Sequence, residues 1–408
     1  MSELVVYLCG RRAGRLIRKA NGNLQFRYEQ AYDGPPISSS MPLKDEAHPH
    51  AACIAVFGGL LAEGESREAL ARNLGVSRQN DFALLQELGG DCAGAISVLP
   101  PDIALPTEPL SRGLDADDLD RVIGELPQRP LAANPTEGIR LSLAGAQPKL
   151  PVIVDGQSLA LPMNAAAATT HIVKPEPERF PGLVDNEAFC MELAHAVNLP
   201  VAATSKHFTQ SGRPYLLVTR FDRDPTVEPI RRLHQEDVCQ ALGRSSGAKY
   251  QSEGGPSVAE TVELVRRASS IPARDLPTLW RALVFNWLIG NCDAHAKNFS
   301  LLYDGGVPTL APLYDLISTA VYPELTERLA MSIDGARQLG QITTAAWVEL
   351  AAQIGFSARF AREASNAMVE LTLEQSERMS ESPLHRNESA ASIVEGIRRR
   401  ARSARLPS

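Results

Sequence analysis

The stretch LPTLWRALVFNWLIGNCDAHAKNFSLLYDGGVPTLAPLYD, residues 276–315, decides how the chain is read. Leu279, Leu283 and Trp287, with Trp280, Val284 and Leu288, recur at helical spacing and give a wide apolar face. Gly290 reads as the stop of that helix. Asp293 is therefore expected in a loop leaving a buried helix, where a rigid scaffold can aim it. Phe299–Tyr303 and Val307–Ala311 flank Asp304-Gly305-Gly306 and read as a hairpin. A hairpin returns the chain to its start, so Asp315 is expected beside Asn298 despite a separation of 17 residues.

An Asp, an Asn five residues later and a second Asp after a hairpin match the parts that phosphoryl transfer needs. Asp293 would accept the proton of the attacking hydroxyl. Asn298 and Asp315 would hold magnesium, whose preference for oxygen ligands needs no His or Cys. Each residue alone has a plainer reading, Asp293 as a turn residue and Asn298 as a strand entry; the combination favours the site. Asp293-x-His295 also suits a metallophosphoesterase, but the further Gly-Asp and Gly-Asn-His segments of that class are missing from the sequence. His295 and Lys297 read as loop residues beside phosphate or substrate.

The rest of the chain sets the frame. Its 408 residues are 44% hydrophobic and 22% charged, ordinary for a globular protein and enough for two or three domains. No run of 18 apolar residues occurs, and the N-terminus lacks a signal-peptide pattern, so a cytoplasmic protein is expected. A net charge of −7 excludes a generally basic nucleic-acid binder. The basic run RRRARSAR, residues 398–405, reads as a solvated helix end or tail, with a polyanion contact as the alternative. Cys9, Cys53, Cys92, Cys190, Cys239 and Cys292 form no C-x-x-C pair and fit reduced thiols.

Early strands, then helical patterns over 67–88, precede short β runs from 140 to 222. IRLSL leads through AGAQ into PKLPVIV, and the turn DGQ into SLALP; THIVK, the helix VDNEAFCMELAHAVN and the strand PYLLVTRFD follow. From about 235 the chain is mainly helical apart from the hairpin. This order predicts an α+β, bilobal body. A nucleotide site would need a strand lysine, and Lys174 ends THIVK. Glu187 or Glu192 on the next helix could pair with it. Small residues at 144–146 would let backbone N–H groups approach phosphates, with Lys149 adding charge.

LSLAGAQPK, THIVKP, VDNEAFC, RFDRD, QEDVCQALG, KYQSEGGP, NCDAHAKNFSLL and LAPLYDLIST occur in the order and spacing of HipA-type serine/threonine kinases. The sequence resembles this family, the toxin halves of bacterial type II toxin–antitoxin systems, over nearly its whole length. The resemblance implies a protein-kinase-like fold with an N-terminal subdomain at 1–105, the rest of the N-lobe at 106–222 and a helical C-lobe at 223–408. It implies ATP and Mg2+ as cofactors, with Asp293 as catalytic base and Asn298 and Asp315 on the metal. Ala144, Gly145, Ala146, Gln147, Pro148, Lys149 and Lys174 would contact the nucleotide phosphates. Thr219, Arg220 and Phe221 would form the hinge; His295, Ala296, Lys297, Asn298, Tyr314 and Asp315 would complete the ATP site. Ser142 would be an autophosphorylation site. A translation protein such as an aminoacyl-tRNA synthetase, for example glutamate–tRNA ligase, would be the substrate. A helix-turn-helix, HipB-like antitoxin would be the partner, reaching operator DNA on the kinase's behalf. Cys292 departs from the Thr common at its position. The alternatives are a small-molecule phosphotransferase of the same fold and an inactive, kinase-like corepressor.

Overall fold

Leu4, Val6 and Leu8 alternate along the first strand, Ser2–Leu8, and all three enter one buried apolar cluster. Antiparallel pairing sets Leu4 opposite Leu16 of the strand Arg11–Arg18, and Leu16 opposite Phe26 of the strand Leu24–Tyr28. The strand Ile96–Leu99 joins the other edge. Helices His50–Gly58 and Asp81–Leu88 bring Phe57, Phe82 and Leu85 into the same cluster. The computed structural model describes residues 2–156 and 158–404 of this α+β chain. Gln157 of the expected DGQ turn and Arg405 of the basic run lie outside the described residues.

By internal contacts the chain forms two units. One comprises Met1–Pro175, His207–Gly247 and Leu302–Gly306; the other comprises Glu176–Lys206, Ala248–Leu301 and Val307–Ser408. In the first unit, five further strands run side by side: Ser111–Leu114, Ser158–Pro162, Leu150–Asp155, His171–Pro175 and Pro214–Thr219. Each neighbouring pair is antiparallel.

Residues 139–143, expected to be a strand entering a hairpin, form no strand. Leu141 makes a parallel bridge to Asp91 instead. The Asp91 N–H donates to the Arg140 carbonyl at 2.9 Å, and the Ser142 N–H donates to the Asp91 carbonyl at 3.0 Å. The reason is competition for edges: Leu150–Asp155 is already flanked by Ser158–Pro162 and His171–Pro175.

The Asp91 side chain is 1% exposed and sits among guanidinium groups. Its Oδ1 accepts from Arg223 at 2.9 Å and Arg232 at 3.0 Å, and its Oδ2 accepts from the Thr169 hydroxyl at 2.7 Å. Arg220 lies 3.5 Å away and makes a two-pronged contact to buried Asp222. Burial alone would push the Asp91 carboxyl up; Arg223, Arg232, Arg220 and Thr169 reverse this and hold it well below the usual carboxylate range. Asp222 is lowered in the same way, burial being outweighed by Arg220 and Arg223.

The second unit is built on the helix Pro272–Ile289, with Pro272 in its first turn, where a missing N–H costs nothing. Trp280 meets Trp347 edge-on at 5.5 Å, and its indole N–H donates to Ser365 at 3.2 Å. Helices Val258–Ala268, Ala358–Ser380 and Glu388–Ala404 belong to the same unit. A short strand pair, Arg328–Ile333 with Ala336–Gln338, adds a second β interruption that the sequence reading did not anticipate.

Asp91→Asn leaves guanidinium groups buried and uncompensated, so about 3–5 kcal/mol of stability should be lost in urea titrations. The sign with pH follows from the lowered carboxyls of Asp91 and Asp222. Their contribution is present above the unfolded carboxylate value, about 3.9, and is lost as pH falls below it. Wild-type stability should therefore drop steeply in acid, and the variant should show a shallower slope.

Candidate active site

In the first unit the lysine expected at a phosphate lies on an inner strand. Lys174, buried at 5% exposure, sits opposite Leu216 in His171–Pro175. The following residues set a backbone platform: the Arg220 N–H donates to the Thr170 carbonyl at 2.9 Å. Arg220 spends its side chain on Asp222, Thr169 and the Cys92 carbonyl. At Thr219–Phe221 the arginine's guanidinium is thus structural.

The loop 144–149 is held from behind. Lys149 Nζ donates to the Ala144 carbonyl at 2.6 Å, the Glu63 N–H to the Gly145 carbonyl at 3.1 Å, and the Ser66 hydroxyl to the Ala146 carbonyl at 2.9 Å. Three successive carbonyls of the loop are thus engaged within the unit. Gly145 has φ of 107°, and a Cβ there would come within 2.5 Å of Lys149 Nζ, so only glycine fits. Ser142, just before the loop, is fully buried, and its hydroxyl donates to the Leu60 carbonyl at 2.8 Å.

The opening stretch, of which Leu302–Gly306 belong to the first unit and the rest to the second, folds as its pattern demands. Gly290 ends the helix in the left-handed region at φ of 75°. The Asn291 side chain then accepts from the Asp293 N–H at 3.1 Å, and the Asp293 carbonyl accepts from the His295 N–H at 2.7 Å. Asp293 itself is exposed, whereas His295 and Lys297 are buried. Strands Ser300–Asp304 and Val307–Leu310 form the hairpin, with positive φ at both Gly305 and Gly306, as a tight two-residue turn requires. At its base the Ala311 N–H donates to the Ser300 carbonyl at 2.9 Å. The Tyr314 hydroxyl bonds the Lys297 carbonyl at 2.6 Å and the Ser300 hydroxyl at 2.7 Å. The two segments bearing Asn298 and Asp315 therefore meet. Asp315 holds a positive φ of 53°, a backbone state uncommon for a residue with a side chain.

The fit to a metal can be judged from the donors. Asn298 Oδ1 is buried and has no hydrogen-bond partner among the described residues. An orphaned buried carbonyl is costly unless something else engages it. An amide oxygen is also a ligand type that Mg2+ accepts, alongside a carboxylate and phosphate oxygens.

Two residues important to this unit escaped the sequence reading. Tyr250, within KYQSEGGP, donates its hydroxyl to Asp293 Oδ1 at 2.6 Å. Arg400, in the basic run read as solvated, is 6% exposed and donates from Nε to the Leu288 carbonyl at 2.7 Å. No basic residue occupies the last turn of Pro272–Ile289, so Arg400 supplies from another helix the cation that a helix C-terminus favours. Burial, then neighbouring Arg399, pull its guanidinium down to about 10. The two glutamates weighed for Lys174 differ in their settings. Glu192 is half-exposed and bonds His385, whereas Glu187 is buried at 2% exposure.

Residues 4–99 match the HipA N-terminal domain family, and residues 141–376 match the HipA-like C-terminal domain family. The chain is 43% identical over 393 residues to Y4mE of Sinorhizobium fredii, whose name classes it with kinases, covering 93% of this chain and 92% of that one. It is 34% identical over 315 residues to the serine/threonine-protein kinase toxin HipA of Shewanella oneidensis, covering 74% and 71% respectively. Among solved structures it is similar to a chain of the Shewanella oneidensis complex of HipA, HipB and operator DNA. The TM-score is 0.82 at 27% identity, over 98% of this chain and 95% of that one.

Arg400→Ala should lower stability by about 1–3 kcal/mol, because a buried helix end loses its donor. Asp293→Asn, at an exposed loop position, should change stability by less than about 0.5 kcal/mol. Urea titrations of both variants beside wild type check the contrast.

Proposed function

The chain belongs to the HipA family of serine/threonine-protein kinase toxins, and we propose that it arrests growth by phosphorylating a protein of translation. The substrate class, an aminoacyl-tRNA synthetase such as glutamate–tRNA ligase, is supported by family membership. A helix-turn-helix, HipB-like antitoxin that carries it to operator DNA is supported by the likeness to the Shewanella oneidensis assembly.

The observation that carries the reading is Asn298: a buried amide oxygen without a hydrogen-bond partner among the described residues, five residues after exposed Asp293, on a segment joined by the hairpin to that of Asp315. Bound Mg2+ would neutralise developing phosphate charge. Asn298 and Asp315 would hold it, while Lys174 and the 144–149 loop would bind the phosphates. Thr219–Phe221 would offer backbone groups to adenine. His295, Lys297 and Tyr314 would shape the remainder of the ATP site. Asp293 would take the proton of the acceptor hydroxyl.

Ser142 would be the autophosphorylation site. Its hydroxyl now donates to the Leu60 carbonyl, so a phosphate there would replace a donor with negative charge facing an acceptor. The segment could not return to its buried place, and the loop that follows would lose its support.

Phosphoproteomics of cells expressing wild type or Asp293→Gln tests the function. Phosphate on one translation protein and on Ser142 only with wild type, together with growth arrest, is the expected outcome. Persistent toxicity of the variant would remove Asp293 from the base role. Label found only on small molecules would point to the phosphotransferase reading.

A further inference from the structure

We infer that Tyr250 is a positioning residue that sets which oxygen of Asp293 accepts the substrate proton; this rests on the reading of Asp293 as the base. Asp293 is exposed, and the final torsion of an aspartate is broad and nearly two-fold, so its carboxylate has little intrinsic orientation. Its backbone is fixed through Asn291 and His295. The carboxylate itself is gripped by the Tyr250 hydroxyl on Oδ1, at a distance typical of a charge-assisted bond, 2.6 Å. That leaves Oδ2 to receive the incoming hydroxyl.

Tyr250 is in turn held rigidly. Its carbonyl accepts from the Glu253 and Gly255 N–H groups, both at 2.9 Å. A Cβ on Gly255 would fall 2.4 Å from the Ala248 carbonyl, so only glycine closes this loop. Gln251, the next residue, accepts from the Ser332 N–H at 2.8 Å and hydroxyl at 3.0 Å, tying the loop to the strand Arg328–Ile333. The Tyr250 ring meets His295 edge-on at 5.5 Å, and Lys249 Nζ lies 5.4 Å from its centre. Backbone, ring and hydroxyl each have an anchor, which a single surface tyrosine would not need for solubility.

The chemistry follows with its atoms balanced. The acceptor hydroxyl gives its proton to Asp293 Oδ2, and its oxygen bonds the γ-phosphorus of ATP. The bond from that phosphorus to the bridging oxygen breaks, and its electron pair leaves with ADP. Tyr250 keeps its own proton throughout and acts by holding Oδ1 still.

The test compares full-length wild type, Tyr250→Phe and Asp293→Asn with γ-labelled ATP and Mg2+. It follows the initial rate of label entering the chain as ATP is varied, alongside thermal melts. Tyr250→Phe should lower the maximal rate roughly ten-fold or more, with half-saturating ATP and the melting temperature unchanged. A maximal rate within two-fold of wild type overturns the inference. So does a lower melting temperature or weaker ATP saturation that tracks the loss, because the role would then be structural. Asp293→Asn separates the two readings. If it is inactive while Tyr250→Phe is normal, only the positioning role fails; if it transfers label normally, the base assignment fails first.

Discussion

A buried charge must be answered where it sits, and Asp91 makes that demand of the whole first unit. Its carboxylate is nearly inaccessible, so the chain brings Arg223, Arg232 and the Thr169 hydroxyl to its oxygens and Arg220 beside them. Those partners come from the approach to the strand His171–Pro175 and from the segment that follows the strand Pro214–Thr219. Meanwhile the backbone of Asp91 pairs with residues 140–142, the segment that carries Ser142 and leads into the small-residue loop. One residue thus organises residues 220–232 through its side chain and the approach to the small-residue loop 144–149 through its main chain. Such a network adds little net stability over an apolar core, yet removing one member is expensive, so it enforces one arrangement.

The second unit answers a different constraint. A helix ending inside the protein leaves carbonyls without partners and a partial negative charge. The helix Pro272–Ile289 ends at the start of the Asp293 loop, and Arg400 supplies the missing donor from more than a hundred residues away. The loop that follows is then held by its own short bonds through Asn291, His295 and Tyr314. Rigidity at the helix end lets an exposed carboxylate be aimed.

Much of this was legible from residues 276–315. Helical spacing of Leu and Trp, a glycine stop and a hairpin with two consecutive glycines are local codes, each read within a few positions. They place the segments of Asn298 and Asp315 together. The reading failed where the same local logic met competition for partners. Residues 139–143 look like a strand, but both edges of the neighbouring strand Leu150–Asp155 are occupied, so they pair with Asp91. The basic run looked solvated because charge is usually exposed. Only the packing of Glu388–Ala404 showed that Arg400 turns inward.

By itself the sequence determined the α+β class, the helix, loop and hairpin that carry Asp293, Asn298 and Asp315, and the family to which the chain belongs. Tertiary structure alone decided what surrounds them: Asp91 under its arginines, Arg400 on the helix end, Tyr250 on the Asp293 carboxylate. These contacts join residues 132, 112 and 43 positions apart. Short-range periodicity records which face of an element is apolar, but not which distant polar group will meet it. That choice is made only when buried charges and unpaired backbone groups must find partners within one packed volume.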